Sequence, residues 1–176
     1  MRPEAVERVR LVFTLFDADG NGAIEADDFE LMASRVVAAV PEADAARRNA
    51  MVAAFRTFWR ALAEDLDTDG DDKVSLEEFQ AVVLDPRRFD AAVAEFAEAL
   101  TAVADPDGDG MVEQPTFVAV MTAIGFALAN IKTLFNALDP AGPERASVPA
   151  WAEAIKEYYR PDAAGIADHL VSRPAG

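Results

Sequence analysis

A short acidic pattern occurs three times along the chain, and it constrains the fold more than any other feature of the sequence. In segments 17–22, 67–72 and 105–110, Asp or Asn side chains occupy alternate positions, and a Gly or an Asp closes the segment. An apolar residue lies five positions before each segment, and another lies two positions after it. A repeat with matched flanks indicates one structural unit that is used several times.

The stretches between these segments have the periodicity of amphipathic helices. Apolar residues recur three and four positions apart, for example at Val9, Phe13 and Phe16 ahead of the first segment. Ala, Leu, Glu and Arg dominate these stretches, and all four favour helix. No window alternates long enough for a strand beyond a very short bridge. The sequence therefore predicts an all-α fold with about eight helices.

A fourth, degenerate copy follows the third. Asp139 and Trp151 stand at the same offsets as Asp105 and Phe117. Four helix–loop–helix units therefore fit the chain. We number their twelve-residue loops one to four, at residues 17–28, 67–78, 105–116 and 139–150.

We expect the four units to form two pairs that pack into one compact globule. An N-terminal pair would cover residues 1–85 and a C-terminal pair residues 86–160, followed by a tail over 161–176. Asp85-Pro86 marks the boundary, because the residue before a Pro disfavours helix. The expected core includes Phe13, Phe55, Phe96, Phe117, Phe126 and Phe135.

The loops carry oxygen donors at a spacing that suits a hard divalent cation. Side chains at loop positions 1, 3 and 5 converge when the backbone turns sharply at position 6; position 7 then supplies a carbonyl oxygen and position 12 a carboxylate. Six or more oxygens around one ion are what Ca²⁺ requires. At position 8 we expect a short β-bridge between paired loops, from Ile24 to Val74 and from Val112 to Ala146.

In these loops the chain resembles the EF-hand family, over nearly its whole length. Within that family it is similar to the four-hand sarcoplasmic calcium-binding proteins and to bacterial calerythrin. Three features carry the narrower resemblance: 38 residues separate loops one and two, loop one ends in Asp28 instead of Glu, and a tail follows loop four. The resemblance implies Ca²⁺ as the ligand, and Ca²⁺ storage or sensing as the function.

Loops one and two carry nearly complete donor sets. In loop one the expected ligands are Asp17, Asp19, Asn21, the carbonyl of Ala23, Glu25 and Asp28. In loop two they are Asp67, Asp69, Asp71, the carbonyl of Lys73, Ser75 and Glu78. Because Asp28 is one methylene shorter than Glu, it offers fewer oxygens to the ion, and we expect Mg²⁺ to compete at loop one. Asp72 replaces Gly at position 6 of loop two, where Asp tolerates the turn better than most residues.

Loops three and four depart further from the pattern. In loop three the expected ligands are Asp105, Asp107, Asp109, the carbonyl of Met111 and Glu113. Position 12 of this loop is Thr116, which has no carboxylate, so the sequence predicts weak binding and leaves open whether the loop is occupied. Loop four keeps Asp139 alone, and we expect it to pair with loop three without binding an ion.

Composition narrows the classes of function. Acidic residues number 32 against 16 basic residues, and the formal net charge of −16 argues against binding to nucleic acid or to an anionic membrane surface. The chain has no Cys and a single His, His169, so catalysis by a nucleophile and a His lacks its parts and we expect no enzyme. Apolar runs of the length of a membrane span or a signal peptide are missing, so we expect a soluble, cytoplasmic protein. We also expect it to be a monomer.

Two functions stay open at this point. As a Ca²⁺ buffer or store, the protein would bury its aromatic residues between the two pairs, with Ile166 and Leu170 of the tail docked there. As a Ca²⁺ sensor, it would expose a hydrophobic groove and regulate a partner protein. Apart from Met1 only four Met residues are present, fewer than a Met-rich adaptable groove would use. We interpret the Arg-rich segment 47–66 as the helix that enters loop two, with its arginines facing solvent, and not as a sensor's target helix.

Overall fold

Eight α-helices and two very short strands make up the part of the chain that the structure describes. The structure is a computed structural model, and it describes residues 3–82, 90–138 and 144–158. The elements are α1 (Pro3–Phe16), α2 (Ala26–Ala39), α3 (Ala45–Leu66), α4 (Leu76–Val82), α5 (Asp90–Val103), β1 (Met111–Glu113), α6 (Gln114–Ile124), α7 (Leu128–Ala137), β2 (Arg145–Ser147) and α8 (Val148–Tyr158). The predicted all-α fold is confirmed.

The loops between consecutive helices meet in pairs. Ile24 and Val74 form an isolated antiparallel bridge, in which the N–H of each donates to the carbonyl of the other at 2.9 Å. Strands β1 and β2 join loops three and four, with Val112 opposite Ala146. All four side chains are fully buried. Both predicted contacts between loops are confirmed, and apolar burial stabilises each of them.

Several features named from the sequence lie outside the described residues: the boundary at Asp85-Pro86, the first position of loop four at Asp139, and the tail 161–176 with Ile166, His169 and Leu170. The division of the chain into two pairs and a tail therefore stays a prediction. Docking of the tail between the pairs also stays a prediction.

Carboxylates at loop position 12 help to start the helices that leave loops one and two. Asp28 Oδ2 accepts from the N–H of Glu25 at 2.8 Å, at the beginning of α2. Glu78 Oε2 accepts from the N–H of Ser75 at 2.9 Å, just before α4. These N–H groups have no partner within their helices, and such a bond is one half of a capping box. Position 12 therefore shapes the backbone as well as offering oxygens.

Aromatic side chains form one continuous core through the molecule. Phe16 of α1 packs against Phe29 and Phe58, with ring centroids 5.1 and 5.4 Å away. Phe96 of α5 packs on Phe58 at 5.8 Å, which joins the core of the first two units to that of the last two. Trp151 of α8 is fully buried. The expected core residues Phe13, Phe55, Phe96, Phe117 and Phe135 are all buried.

The connection between α6 and α7 lies close to α1. Gly125 ends α6 with φ 118°, and a Cβ at this position would lie 2.9 Å from Leu15 Cδ2. Phe126, which was expected in the core, is only partly buried because it lies in this connection, and its ring meets that of Tyr158 edge-on at 6.0 Å. Within the described ranges, no helix is both long and apolar enough to cross a bilayer.

Candidate metal centres

The first Asp of loops one, two and three organises the backbone that follows it. One of its oxygens accepts from the N–H of position 5, and the other accepts from the N–H of position 6. The distances are 2.9 to 3.2 Å, from Asn21 and Gly22 to Asp17, from Asp71 and Asp72 to Asp67, and from Asp109 and Gly110 to Asp105. Asp suits this place because its short carboxylate readily bonds the backbone of its own turn.

Position 6 takes the left-handed backbone in all three loops. The φ angle is 93° at Gly22, 61° at Asp72 and 80° at Gly110. Within the described ranges, Asp72 is the only non-Gly residue with a positive φ. This conformation costs an ordinary residue about 1–2 kcal/mol, and Asp adopts it more readily than most. Loop two therefore makes the same sharp turn as loops one and three without a Gly.

Three carboxylates converge in loop one, those of Asp17, Asp19 and Asp28, with one oxygen from each within 4.8 Å of the others. Asp28 is 1% exposed and accepts from the N–H groups of Asp19 at 3.1 Å and Glu25 at 2.8 Å. Burial raises the pKa of Asp28, and these two hydrogen bonds oppose the rise. A cation at this point would relieve both the burial of a charge and the repulsion between carboxylates. The short Asp28 side chain therefore reaches the group despite its length.

Two other expected ligands of loop one lie beside this group and bond to each other. Asn21 Nδ2 donates to Glu25 at 2.8 Å and to Asp19 at 3.1 Å, while Asn21 Oδ1 accepts from the N–H of Ala23 at 3.0 Å. Glu25 also pairs with Lys73 Nζ at 2.8 Å, and this contact is the main cause that lowers the pKa of Glu25. Asn21 and Glu25 are thus near the site, and their side-chain polar atoms already bond to neighbouring groups of the protein.

Three carboxylates also converge within 4.8 Å in loop two, those of Asp67, Asp69 and Asp71. Glu78 at position 12 lies outside this group. Its Oε1 accepts from the N–H and hydroxyl of Thr68 at 3.1 and 2.8 Å, and its Oε2 accepts from the N–H and hydroxyl of Ser75, both at 2.9 Å. These bonds lower the pKa of Glu78 to about 2, and the N–H of Ser75 contributes most.

Loop three has three converging carboxylates, those of Asp105, Asp107 and Asp109, which lie within 4.8 Å of one another. Thr116 at position 12 lines a cavity of about 360 Å³ next to them, together with Glu42, Met111 and Glu113. Glu42 lies in the connection between α2 and α3. Nothing in its sequence context indicated that it would lie beside loop three.

The described part of loop four has a structural role. Strand β2 pairs with loop three, and α8 begins at its end. Ala150 at position 12 has no carboxylate, and Trp151 next to it is fully buried. Position 1, Asp139, lies outside the described residues, so the lack of ion binding at loop four stays a prediction.

Comparison with known proteins identifies the family of these loops. A family described as an EF-hand domain pair matches residues 6–84. The solved structure of a Streptomyces coelicolor calcium-binding protein is 30% identical in sequence and has a TM-score of 0.75. That match covers 90% of this chain and 99% of the Streptomyces protein. The chain belongs to the EF-hand family.

Two further EF-hand comparisons concern the narrower resemblance. Calerythrin from Saccharopolyspora erythraea is 28% identical over 163 residues, which is 88% of this chain and 92% of calerythrin. The sarcoplasmic calcium-binding protein of amphioxus is 21% identical, with a TM-score of 0.72 over 99% of this chain and 100% of that one, and it has the same fold. The predicted resemblance to the calerythrin and sarcoplasmic type is confirmed.

In each EF-hand pair, a basic side chain of one loop contacts a carboxylate of the other loop, and sequence reasoning missed both contacts. Lys73, at position 7 of loop two, contacts Glu25 of loop one. Arg145, at position 7 of loop four, contacts both Asp109 and Glu113 of loop three. Because the bridge at position 8 is antiparallel, position 7 of one loop faces position 9 of the other. The bridges predicted from the sequence could therefore have indicated the contact of Lys73 with Glu25 and that of Arg145 with Glu113.

A third basic residue reaches loop three from the N-terminal pair. Arg47 Nη1 donates to the carbonyl of Pro106 at 3.0 Å. Arg56 and Arg60 are exposed, as expected, whereas Arg47 and Arg48 are half-buried. The expectation that all the arginines of α3 face solvent is therefore wrong for the first two, because the start of α3 packs close to loop three.

The donor chemistry limits which ions these EF-hand loops fit. Loops one to three offer oxygen donors only, and such hard sets suit Ca²⁺ and Mg²⁺ better than transition metals. Loops one and two add a carboxylate at position 12, which loop three lacks. The donor sets of loops one and two therefore fit Ca²⁺ best, and that of loop three fits it less well.

Proposed function

We propose that this chain binds Ca²⁺ through loops one and two, binds it more weakly through loop three, and buffers free Ca²⁺ in the cytoplasm as a monomer. The observation that carries this proposal is the convergence of three carboxylates within 4.8 Å in each of these loops. Carboxylates held this close repel one another unless a cation joins them. The formal net charge of −16 adds to that repulsion.

The ligands we propose are those expected from the sequence, and the chain holds some of them ready. The Asp at position 1 is oriented by two N–H groups of its own loop, so little further ordering is needed there. Glu25 would exchange its contact with Lys73 for the ion, and Glu78 would exchange its bonds from Thr68. A bound Ca²⁺ supplies two positive charges that offset the repulsion between the carboxylates.

Loop one is the proposed place for competition by Mg²⁺. Asp28 is nearly fully buried, and its two oxygens already accept from Asp19 and Glu25. A short, tethered carboxylate offers one oxygen to an ion more easily than two. Mg²⁺ takes six oxygens in a tight octahedron, whereas Ca²⁺ takes up to eight. The geometry of Asp28 therefore favours Mg²⁺ at loop one more than the longer Glu78 does at loop two.

The shared aromatic core supports a buffer over a sensor. A sensor exposes a groove when its helices separate. Here Phe55 and Phe58 pack on Phe96 of the other pair, with ring centroids 5.2 and 5.8 Å apart, so opening one pair would expose apolar surface in both. Among the described residues, Leu76 and Leu128 are the only large apolar side chains that are exposed.

A second function, Ca²⁺ sensing, is favoured by one comparison. The solved structure of the Streptomyces coelicolor protein concerns calcium-mediated regulation in prokaryotes by that protein, and this chain covers 99% of it. A regulatory role for this chain would require that Ca²⁺ changes a surface that a partner protein contacts. Leu76, at position 10 of loop two, is the exposed apolar residue nearest to a proposed site.

Titration with CaCl₂ at a fixed millimolar concentration of MgCl₂ separates the two functions. Calorimetry would report binding, and the fluorescence of the hydrophobic dye ANS would report exposed apolar surface. We expect heat from at least two sites and no rise in ANS fluorescence. A saturable rise in ANS fluorescence would instead favour the sensor.

Thermal melting in CaCl₂ and in EDTA tests the binding itself. An ion that binds only the folded protein stabilises it by about 2.7 kcal/mol at a hundred times its Kd. We therefore expect a markedly higher Tm in CaCl₂ than in EDTA. As a control, the double variant Asp17→Asn and Asp67→Asn should lose most of that difference. Equal melts of the wild-type protein, together with no binding heat, would rule out the proposed function.

A further inference from the structure

The pairing of loops brings a basic residue of one loop against the carboxylates of its neighbour in both EF-hand pairs. Lys73 Nζ lies 2.8 Å from Glu25 Oε1, and Arg145 Nε lies 2.8 Å from Glu113 Oε1. Glu113 and Arg145 are direct partners in the β1–β2 ladder, and the Ile24–Val74 bridge puts Glu25 and Lys73 in the same relation. The two ion pairs are therefore equivalent by register.

They differ in what else the basic side chain reaches. Arg145 Nη2 also bonds to Asp109 Oδ2, and Asp109 is one of the three converging carboxylates of loop three. Lys73 bonds to Glu25, which lies outside the converging group of loop one. The contact at loop three thus engages one of the converging carboxylates, whereas the contact at loop one engages a carboxylate beside that group.

We infer that Arg145 lowers the affinity of loop three for metal, by acting as an internal cation that an incoming ion must displace from Asp109. This inference rests on the proposed function, because it concerns a loop proposed to bind Ca²⁺. A guanidinium presents several N–H donors in one plane, so a single Arg can hold Asp109 and Glu113 together. Lys carries a single ammonium on a flexible chain and has no such fixed geometry.

The physical consequence is a competition between two positive charges. A guanidinium and a Ca²⁺ ion that use the same carboxylate repel each other, and at contact distances in water this repulsion corresponds to about a tenfold weaker Kd or more. Without metal, Arg145 stabilises loop three, because its positive charge offsets the repulsion between the carboxylates of that loop.

Weak binding at loop three then has two separate causes. Thr116 removes a carboxylate from position 12, and Arg145 engages the carboxylates at positions 5 and 9. The first cause was visible in the motif. The second comes from loop four, which keeps its pairing although it lacks the donors of a binding loop.

Backbone N–H groups at position 6 offer a separate signal for each loop. Gly22 donates to Asp17 Oδ2 at 2.9 Å, and Gly110 donates to Asp105 Oδ2 at 3.0 Å. Metal binding to that carboxylate would polarise the hydrogen bond and move the amide resonance. Two-dimensional ¹H–¹⁵N NMR of the full-length protein during a CaCl₂ titration therefore follows loops one and three in the same sample.

The experiment compares the wild-type protein with Arg145→Gln and Lys156→Gln. Lys156 pairs with Glu153 at 2.8 Å on α8, so the second variant removes the same charge away from the loops. We expect Arg145→Gln to lower the CaCl₂ midpoint of Gly110 about tenfold and to leave that of Gly22 unchanged. Lys156→Gln should change both midpoints by less than about twofold. In EDTA, Arg145→Gln should melt below the wild-type protein, because loop three loses its internal cation.

The outcomes separate this inference from the proposed function. If Gly22 responds to CaCl₂ but the Gly110 midpoint is the same with Arg145 and with Gln, the inference is wrong and Ca²⁺ binding at loop one stands. If Gly110 fails to respond in both proteins while Gly22 responds, Arg145 is not what limits loop three, and the inference is again wrong. If neither Gly responds in any protein and calorimetry also shows no binding heat, the proposed function itself fails. Arg145→Lys should give an intermediate midpoint, and a midpoint equal to that of Arg145→Gln would contradict the role of charge.

Discussion

The two EF-hand pairs share a scaffold and differ in their chemistry. In the N-terminal pair both loops end in a carboxylate, at Asp28 and Glu78, whereas Thr116 and Ala150 hold the same place in the C-terminal pair. Both pairs nevertheless keep the buried antiparallel contact at position 8. Both also keep a buried aromatic residue directly after position 12 of each loop: Phe29, Phe79, Phe117 and Trp151. Apolar residues between the loops therefore hold the scaffold, and ion ligands can be lost without losing it.

Truncation of the aromatic residue that follows loop four should destabilise the scaffold at a position that holds no ion ligand. Trp151 is fully buried, packs on Phe117 with ring centroids 4.7 Å apart, and has no partner for Nε1 among the described residues. Because only packing is lost, Trp151→Ala should lower the free energy of unfolding by about 3–5 kcal/mol. Urea denaturation in EDTA measures this loss.

Two matched variants control that measurement. Trp151→Phe keeps an aromatic ring and should cost clearly less than Trp151→Ala. Leu128→Ala removes a side chain that is 52% exposed and should cost less than about 0.5 kcal/mol. If Trp151→Ala cost no more than Leu128→Ala, the non-binding unit would not share the core of the molecule.

Restoring the missing carboxylate should bring loop three closer to loop two. Thr116 lines the cavity beside Asp107 and Glu113, so a Glu at this position would point its charge at the site. We expect Thr116→Glu to strengthen Ca²⁺ binding at loop three on the order of a hundredfold, since ligand charge and number set EF-hand affinity. The amide resonance of Gly110 during a CaCl₂ titration reports the change. Thr116→Gln, of the same length without the charge, should give little gain, and an equal gain would contradict the role of the carboxylate.

Local spacing was enough to predict much of this molecule. The alternate Asp residues, the turn residue at position 6 and the apolar residue at position 8 act within one loop or between paired loops. Their consequences follow from backbone geometry alone: the converging carboxylates, the positive φ of Asp72 and the Ile24–Val74 bridge. The same register would also have predicted Lys73 opposite Glu25.

The contacts that were not predicted come from segments distant in the chain. Glu42 and Arg47 lie beside loop three because the connection between α2 and α3 crosses the C-terminal pair. That path depends on how whole helices pack, and no periodicity in the sequence encodes it. The hydrogen bonds from Thr68 to Glu78 depend on side-chain rotamers, which spacing does not determine either.

Exchanging the two acids at position 12 should exchange the ion preference of loops one and two. Asp28→Glu lengthens the carboxylate by one methylene and should raise the preference of loop one for Ca²⁺ over Mg²⁺ by about tenfold. Glu78→Asp should lower the preference of loop two by a similar factor. Calorimetric titrations with CaCl₂ at several MgCl₂ concentrations measure both changes. Opposite shifts are the expected result, whereas shifts of the same sign would mean that burial at Asp28 and not its length sets the preference.

The smallest predicted effect is a difference in pH dependence between these acids without metal. Hydrogen bonds from Ser75 and Thr68 lower the folded pKa of Glu78 to about 2 from an ordinary value of 4.5. A lowered pKa stabilises the folded protein above the ordinary value, and this contribution is lost as the pH falls from 4.5 towards 2. Burial raises the pKa of Asp28, so protonation of Asp28 favours the folded protein as the pH falls. The two position-12 acids therefore contribute with opposite signs.

Melting curves in EDTA across this pH range separate the two contributions. Glu78→Gln removes the group whose protonation destabilises the fold, so its Tm should fall less steeply with acid than that of the wild-type protein. Glu78 is only partly buried and its charge is screened by solvent. We therefore expect the total fall in Tm over this pH range to differ between the two proteins by less than about 4 °C. Glu77→Gln, at the exposed neighbouring position, should keep the wild-type slope. If Glu78→Gln and Glu77→Gln followed the same curve, the bonds to Ser75 and Thr68 would not stabilise loop two in the absence of metal.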